Sequence, residues 1–240
     1  PGALRNFLPA GLENDNIINL IPLPKQNNIS LGLISSDGKF KRVSFNEITD
    51  ISNRSTTLLK LKDAVKLKSC ILCEENSHLF IISDFGRIIK ISITEKDFPY
   101  MGKSAQGTSV MKLFPDENII ESINIQKKQN KDLIFITNKG YFIKQNTKEI
   151  KVSKKGELGS MVINFKDNKK INDRIINCFI NNKYVYIKTN KDRYEKLETE
   201  QIDKSIYKKE RKLNIKLNDK EFITSIFSMT LPDITFPFKF

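Results

Sequence analysis

The sequence predicts an all-β chain built from repeated four-stranded modules, and three observations carry that prediction. First, four stretches superimpose as strand, turn, strand: "LGLISSDGKFKRVSF" from Leu31, "LFIISDFGRIIKISI" from Leu79, "LIFITNKGYFIKQNT" from Leu133 and "VYIKTNKDRYEKLET" from Val185. Each is a short apolar run, a polar turn and a second run, the signature of a β-hairpin. Second, the turn residue is Gly38, Gly86, Gly140 and then Asp192, as expected of a position that needs φ > 0. Third, every hairpin is followed by a polar loop, a third apolar strand and a fourth. The third strands are "TTLLKL", "SVMKL", "SMVINF" and "KLNIKL"; the fourth are "KSCILC", "NIIESINI", "RIINCFI" and "EFITSIF". The period of roughly fifty residues and four strands is that of a propeller-type blade.

Taken in order, residues 1–28 form half a module: a third strand around Asn6–Leu8, acids at Glu13 and Asp15, and a fourth strand at Ile17–Leu23. Full modules follow at 29–78, 79–132, 133–183 and 184–240, so about four and a half repeats are present. The last module ends in "LPDITFPFKF", where Pro232 and Pro237 rule out a central strand and make the segment a tail or an edge. No Gly/Ser linker or charge run divides the chain, so the modules read as one domain in which each buries its faces against its neighbours.

Composition bounds the function. Forty-one Lys and Arg against twenty-eight Asp and Glu leave a net charge of +13, which favours a polyanionic partner such as nucleic acid or an anionic membrane surface. The excess is nearly all lysine in an Asn- and Ile-rich chain, a bias that drift toward AT-rich codons also produces. Cys70 and Cys73 make a C-x-x-C, but a zinc site needs a second ligand pair and His78 is the only histidine. The three cysteines therefore read as small core residues of a reducing compartment. No apolar run reaches the length of a membrane span, and Pro1 onward lacks the order of a signal peptide. These features imply a soluble, cytosolic protein. With one histidine and no recurring nucleophile–base pair, nothing in the chain builds a catalytic site.

The stretch "GKSAQGTSVMKL", from Gly102, raises the question of a phosphate-binding loop. Such a loop leads from a strand into a helix whose N-terminus faces the anion. Here Gly107 leads into the short β-branched "TSVMKL", and neither nucleotide-binding glycine order is present.

The residues do resemble a known family. The order of an apolar run, T/S-x-x-G-x-x-K/R-R, a G-x-x-x-x-G loop and then h-K-L-x-x-x-D/E-x-h-h is similar to the C-terminal domain of the bacterial DNA gyrase A subunit, shared with the topoisomerase IV A subunit. "DGKFKRVSF", "FGRIIKI", "MGKSAQGTSVMKLFPDENII" and "NKGYFIKQ" carry the match, which covers essentially the whole chain. The resemblance implies a β-pinwheel, a propeller-like ring around whose basic rim double-stranded DNA is bent. It implies no cofactor in this segment, with ATP and magnesium belonging to other parts of the topoisomerase. The implied partners are the gyrase A breakage–reunion domain and the gyrase B subunit, in an A2B2 assembly located in the cytoplasm with the nucleoid. Two departures stand out. The glutamine-arginine-arginine-glycine-glycine box of wrapping gyrases is not found in these residues, and "SNRSTTLLKL" has no glycine loop. A topoisomerase IV-like domain that binds without wrapping is therefore one alternative, and a β-propeller scaffold for protein partners is another.

Candidate DNA contacts follow from the repeat. Four residues past each turn stand Arg42, Lys90, Lys144 and Lys196; one past it stand Lys39, Arg87 and Arg193, with Tyr141 the exception. Lys41 adjoins the first column, and the third strands add Lys60, Lys112 and Lys216. In a ring of modules a fixed slot becomes a belt of charge suited to a bent phosphate backbone. Gly102 and Gly107 would let the backbone near Lys103 and Gln106 approach DNA, or would only shape a crossover loop. Tyr184, Tyr186, Phe80 and Phe135 read as core; Tyr100, Tyr141 and Tyr207 are the aromatics placed for stacking. The acids Asp63, Asp116, Asp167 and Asp219, once per module, read as turn caps rather than a metal set.

Overall fold

A computed structural model describes residues 8, 12, 15–22, 29–49, 55–163, 165, 173–181, 184–199, 211–213 and 215–228. These residues fall into two compact units, Pro1–Gln129 with Lys151–Met161, and Asn130–Ile150 with Val162–Phe240.

In the first unit, the hairpin β1 (Ile29–Ser35) and β2 (Lys39–Ser44) is followed by β3 (Leu67–Glu74), and the hairpin β4 (Ser77–Ser83) and β5 (Arg87–Ile93) by β6 (Thr108–Ser109) and β7 (Ile119–Gln126). The second unit repeats the plan with β8 (Asp132–Thr137) and β9 (Tyr141–Asn146), and then β11 (Ile175–Ile180). A last hairpin, β12 (Tyr184–Thr189) and β13 (Tyr194–Glu198), is followed by β15 (Ile223–Ser228). Two further short strands are β10 (Ser160–Met161) and β14 (Arg211–Lys212). The four expected hairpins and fourth strands are all present. The turn residues Gly38, Gly86, Gly140 and Asp192 all have positive φ, at 79°, 85°, 79° and 54°. Two short helical turns, Asn46–Thr49 and Thr147–Glu149, interrupt the pattern. Residues 15–22 form no ladder; most of the expected N-terminal half module and the whole of the 231–240 tail lie outside the described residues.

The third strands depart from expectation. The repeat places each in the sheet of its own hairpin, but the sheet orders are β3-β1-β2-β6, β10-β5-β4-β7, β11-β8-β9-β14 and β13-β12-β15. β6 follows the second hairpin in sequence yet pairs with β2 of the first, Phe40 opposite Thr108 and Lys39 opposite Ser109. β10 does the same with β5, and β14 with β9. Only two residues of each of these three third strands enter a ladder, and the expected first one, "TTLLKL" at 56–61, enters none.

This exchange explains why the hairpin strands are buried so completely. A second hairpin strand with neighbours on both edges carries apolar residues on both faces, so its sequence loses the in–out alternation of a half-exposed strand. β4 and β5 bury Leu79 through Ile82, Ile88, Ile89, Ile91 and Ile93. In the first unit Ile34, Phe40, Ile81, Ile89, Phe98, Val110 and Met111 form one cluster, with the Phe40 and Phe98 rings edge-on at 5.1 Å. In the second, Ile134, Ile136, Phe142, Val185, Ile187, Leu213 and Ile223 do likewise. Phe80 and Phe135 are core as expected, whereas Tyr186 is exposed and Tyr184 half-buried.

Each module also carries the same backbone bond after its turn. The amides of Ser36, Asp84, Asn138 and Asn190 donate to the carbonyls of Lys66, Asn118, Arg174 and Phe222 at 2.8–3.0 Å. These bonds align the modules residue by residue: Val65, Glu117, Asp173 and Glu221 occupy one slot.

Candidate nucleic-acid interface

That slot meets the residue one past the turn. Arg87 opens β5 and points inward, where its Nε donates to Glu117 Oε1 at 2.8 Å and its Nη2 pairs with Glu117 Oε2. The same Nη2 donates to the Lys112 carbonyl at 2.9 Å, and Nη1 to that of Leu158 at 2.5 Å. Glu117 closes the turn behind it by accepting from the Phe114 amide at 2.8 Å. Arg193 repeats the construction: its Nε donates to Glu221 Oε1 at 2.9 Å and its Nη2 to the Lys216 carbonyl at 2.9 Å, while Glu221 Oε2 accepts from the Asn218 amide at 2.9 Å. Burial alone would raise the Glu117 carboxyl, but the hydrogen bonds from Arg87 and Phe114 outweigh it and hold its pKa below the ordinary value. Arg193, the Asn218 amide and Thr189 push Glu221 down to about 2.

The other two modules lack this clamp for different reasons. In the third, Tyr141 replaces the arginine; Asp173 is fully buried, burial raises its pKa, and its Oδ2 has no hydrogen-bond partner. In the first, Val65 replaces the acid and Lys39 the arginine.

The third-strand lysines face out with or without the clamp. In the clamped modules the arginine holds the carbonyls of Lys112 and Lys216 while both lysine side chains are exposed, and Lys60, in the same h-K-L position of the unclamped first module, is exposed too. This slot is the outward basic position of the repeat.

The column four past the turn is mostly not. Arg42 is 1% exposed, with Nε on Ser30 Oγ at 2.8 Å, an ion pair to Glu75 at 2.6 Å and its guanidinium 4.6 Å from the centre of the Tyr100 ring. Lys144 is buried and ion-paired to Asp132 at 3.3 Å. Lys90 is buried over the Phe80 ring at 5.6 Å, and burial lowers its pKa. Only Lys196 of the four is exposed, its Nζ 3.8 Å from the Tyr184 ring centre. Arg42, Lys90, Lys144 and Arg87 are therefore withdrawn as phosphate contacts, because each is packed against partners inside its own unit. Arg193 is held in its clamp and against Glu195. A count along the sequence finds the repeated slot; it does not tell which face of a strand flanked on both sides meets solvent.

Lys41 is also internal, and it explains the glycine loop. Its ammonium lies among the carbonyl oxygens of Leu58 at 2.7 Å, Gly102 at 2.6 Å, Lys103 at 3.2 Å and Ala105 at 3.2 Å. Burial lowers its pKa, and these carbonyls stand where water would otherwise solvate the cation. The loop of "GKSAQG" thus wraps a lysine rather than cradling an anion, with Lys103 exposed at its crest and Gln106 half-buried at its foot. Replacing Lys41 with Met is expected to leave those carbonyls unpaired at a cost of about 1–3 kcal/mol and to make the 102–107 loop the first site of limited proteolysis. A loop cleaved no faster than in the parent protein would contradict this role.

The recurrent acids need one correction. Asp63, Asp116 and Asp219 are exposed on their turns, and the side chains that cap the turns are the following acids, Glu117 and Glu221; Asp167 lies outside the described residues. Tyr100 is exposed but committed to Arg42, Tyr141 is half-buried, and Tyr207 is outside the described residues. Cys73 and Cys178 are buried and Cys70 half-buried, and burial raises Cys70 to about 11. Burial, then Lys90 and Lys127, push His78 down to about 4, so it stays neutral at physiological pH. Among the described residues no group of three His, Cys, Asp or Glu is placed to hold a metal, and no helix is long and apolar enough to cross a membrane.

Strand-exchanging modules, three of them completing four-stranded sheets, two of them clamped behind the turn and three presenting a third-strand lysine, define an all-β, propeller-like class of repeat domain. The chain belongs to the family described as "DNA gyrase C-terminal domain, beta-propeller", which matches residues 33–74, 77–123 and 131–182. The A subunit of DNA gyrase from Ureaplasma parvum serovar 3 is 29% identical over 115 residues, 48% of this chain and 13% of that protein. The A subunit of DNA topoisomerase 4 from Synechocystis sp. is 23% identical over 175 residues, 68% of this chain and 19% of that protein. The chain thus spans less than a fifth of the length of these relatives. Among solved structures, the C-terminal domain of DNA topoisomerase IV aligns with a TM-score of 0.77 at 18% identity, covering 94% of this chain and 69% of that one. The DNA gyrase A C-terminal domain aligns with a TM-score of 0.67 at 16% identity, covering 85% and 66%. Both likenesses are likenesses of fold.

Proposed function

We propose that this chain is a non-catalytic, double-stranded DNA-binding and bending domain of a type IIA topoisomerase A subunit, serving supercoiling or relaxation by the whole ATP-dependent enzyme in the cytoplasm. The observation that carries the reading is the third-strand slot: Lys60, Lys112 and Lys216 are all exposed at one repeated position in a chain of the gyrase C-terminal family. Lysines at a repeated outward slot neutralise successive phosphates and release condensed counterions, and binding along a curved track offsets the several kcal/mol that resist bending a duplex. Strand breakage, ATP hydrolysis and magnesium belong to the breakage–reunion domain and the B subunit, the partners this role entails.

Fluorescence anisotropy of a short linear duplex titrated across salt concentration tests the reading. Binding is expected to weaken steeply with salt, and Lys112→Gln to lower the log–log slope by about one. No binding at low salt, or a flat salt response, overturns it. Relaxed plasmid ligated in the presence of the domain separates wrapping from binding: a wrapping domain traps writhe, whereas a topoisomerase IV-like binder leaves the topoisomer distribution unshifted.

A further inference from the structure

We propose that the first module carries the principal phosphate anchor of this chain, a shallow cleft lined by Lys39, Lys60, Lys62 and Gln106, and that valine at position 65 leaves it without the arginine–glutamate clamp of the second and fourth modules. The inference rests on the DNA-binding reading above. In the second and fourth modules the residue one past the turn is an arginine drawn inward by a glutamate, Arg87 by Glu117 and Arg193 by Glu221. The first module has Val65 in the glutamate slot, and nothing there draws the cation in. Lys39 instead keeps its side chain 22% exposed, against 3% for Arg87, and Arg193, although 31% exposed, is neutralised by Glu221 and Glu195.

The cleft is lined by Ser35, Asp37, Lys39, Lys60, Lys62 and Gln106, with Leu61 and Val65. Asp37 is its one carboxylate, and it is already engaged: Ser35 Oγ donates to it and Lys39 Nζ stands 3.1 Å away. Lys39 balances Asp37, so Lys60 and Lys62 remain as uncompensated charge at the rim. Gln106 lines the cleft and accepts from Lys39 at 3.4 Å through Oε1, so its amide Nε2 is the neutral donor it can offer. Two ammonium groups and an amide form the donor set that a phosphodiester takes. The loop behind the cleft is held by Lys41, whose carbonyl cage joins Leu58 to Gly102–Ala105, so the donors stand on a fixed frame.

In the second module Lys112 keeps the place of Lys60 and Arg87 that of Lys39, but the places of Lys62 and Gln106 are apolar. Phe114 stands where Lys62 does, the carbonyl of each accepting from the turn amide three residues on, Glu117 and Val65 respectively. Leu158 stands where Gln106 does, one residue before the positive-φ Gly159 as Gln106 precedes Gly107. Phe114 and Leu158 are exposed and apolar. The second module's edge is therefore clamped and partly apolar, whereas the first module's, with Val65 in the acid slot, is unclamped and carries three lysines and an amide.

Two variants of the full chain test this by salt-titrated anisotropy on linear duplex DNA. Lys60→Gln with Lys62→Gln, both exposed and without consequence for packing, should lower the log–log slope by about two, against about one for Lys112→Gln. Lys39→Arg with Val65→Glu installs the clamp and should weaken binding while leaving the thermal midpoint unchanged or raised, a combination that a purely structural effect does not produce. An unchanged slope in the Lys60/Lys62 variant, with the parent chain binding normally, overturns the anchor and leaves the DNA-binding reading intact. Undiminished affinity in the folded Lys39/Val65 variant overturns the role of position 65. A parent chain that does not bind overturns the broader reading, and the anchor with it.

Discussion

Glu117→Ala will destabilise the fold by roughly 3–5 kcal/mol, the usual cost of stranding a buried cation. Arg87 has a 3% exposed side chain, and Glu117 is its one carboxylate partner on a side chain that is itself 0% exposed. Removing the acid leaves the guanidinium with the carbonyls of Lys112 and Leu158 and the Phe114 ring at 4.3 Å, none of them charged, and also frees the Phe114 amide that closes the turn. The double variant Arg87→Met, Glu117→Leu should recover most of the loss, because an apolar pair of similar volume carries no unpaired charge. Urea unfolding of Arg87→Met, Glu117→Leu and their double completes a double-mutant cycle; a Glu117→Ala loss under about 1 kcal/mol would show that the pair behaves as an exposed one. The equivalent pair adds a pH signature. The folded-state pKa of Glu221 is depressed from 4.5 to about 2, so its contribution is present in full above pH 4.5 and is lost as the pH falls toward 2. Glu221→Gln should flatten the acid limb of the stability profile in that window, and an unchanged limb would remove Glu221 from the acid response.

The clamp also shows what the sequence could and could not convey. Hairpins, turn glycines and fourth strands were legible because each rests on local chemistry: two apolar runs around a residue free to take φ > 0. The outward lysine of the h-K-L segment was legible as a repeat for the same reason. The strand exchange was not, since a two-residue pairing such as Phe40 with Thr108 leaves no periodicity to read. The burial of Arg42, Lys90 and Lys144 was hidden by that exchange, because a strand with partners on both edges can bury either face. The acid column was misplaced by one residue in the second module and by two in the fourth. "PDE" and "NDKE" each offer two acids per turn, and the exposed Asp116 and Asp219 draw the eye from Glu117 and Glu221, which reach the arginine. Pairing the acid column with the arginine column, module by module, is the signal that would have found the clamps, and Val65 with Lys39 is where that covariation breaks.

Gly107→Ala and Gly159→Ala will each be among the most disruptive single-methyl additions in this chain, whereas Gly102→Ala, at the other end of the same loop as Gly107, will be nearly silent. Gly107 has φ +89°, and a Cβ there would lie 2.8 Å from the Phe40 carbonyl oxygen and 3.0 Å from its carbon. Gly159 has φ +76° and would meet the Ile88 oxygen at 2.6 Å. Alanine costs about 1–2 kcal/mol for the backbone conformation alone, and the contact atoms are main chain of a central strand that cannot swing aside. The overlap falls one residue before the exchanged pairing, so relief requires β6 to leave β2, or β10 to leave β5, and the buried Val110 and Met111 to move with the first of them. A Cβ on Gly102 meets nothing within 4 Å, and its substitution should stay within about 0.5 kcal/mol. Thermal unfolding ranks the three. Hydrogen exchange at the Val110 amide, bonded to the Gly38 carbonyl at 2.9 Å, reports whether the exchanged strand has lifted. A loop that served DNA through its backbone would invert the order, with Gly102→Ala costing affinity and Gly107→Ala costing little stability. A loop whose glycine exists to cross between sheets gives stability losses at Gly107 and Gly159, with DNA affinity per folded molecule unchanged at Gly102.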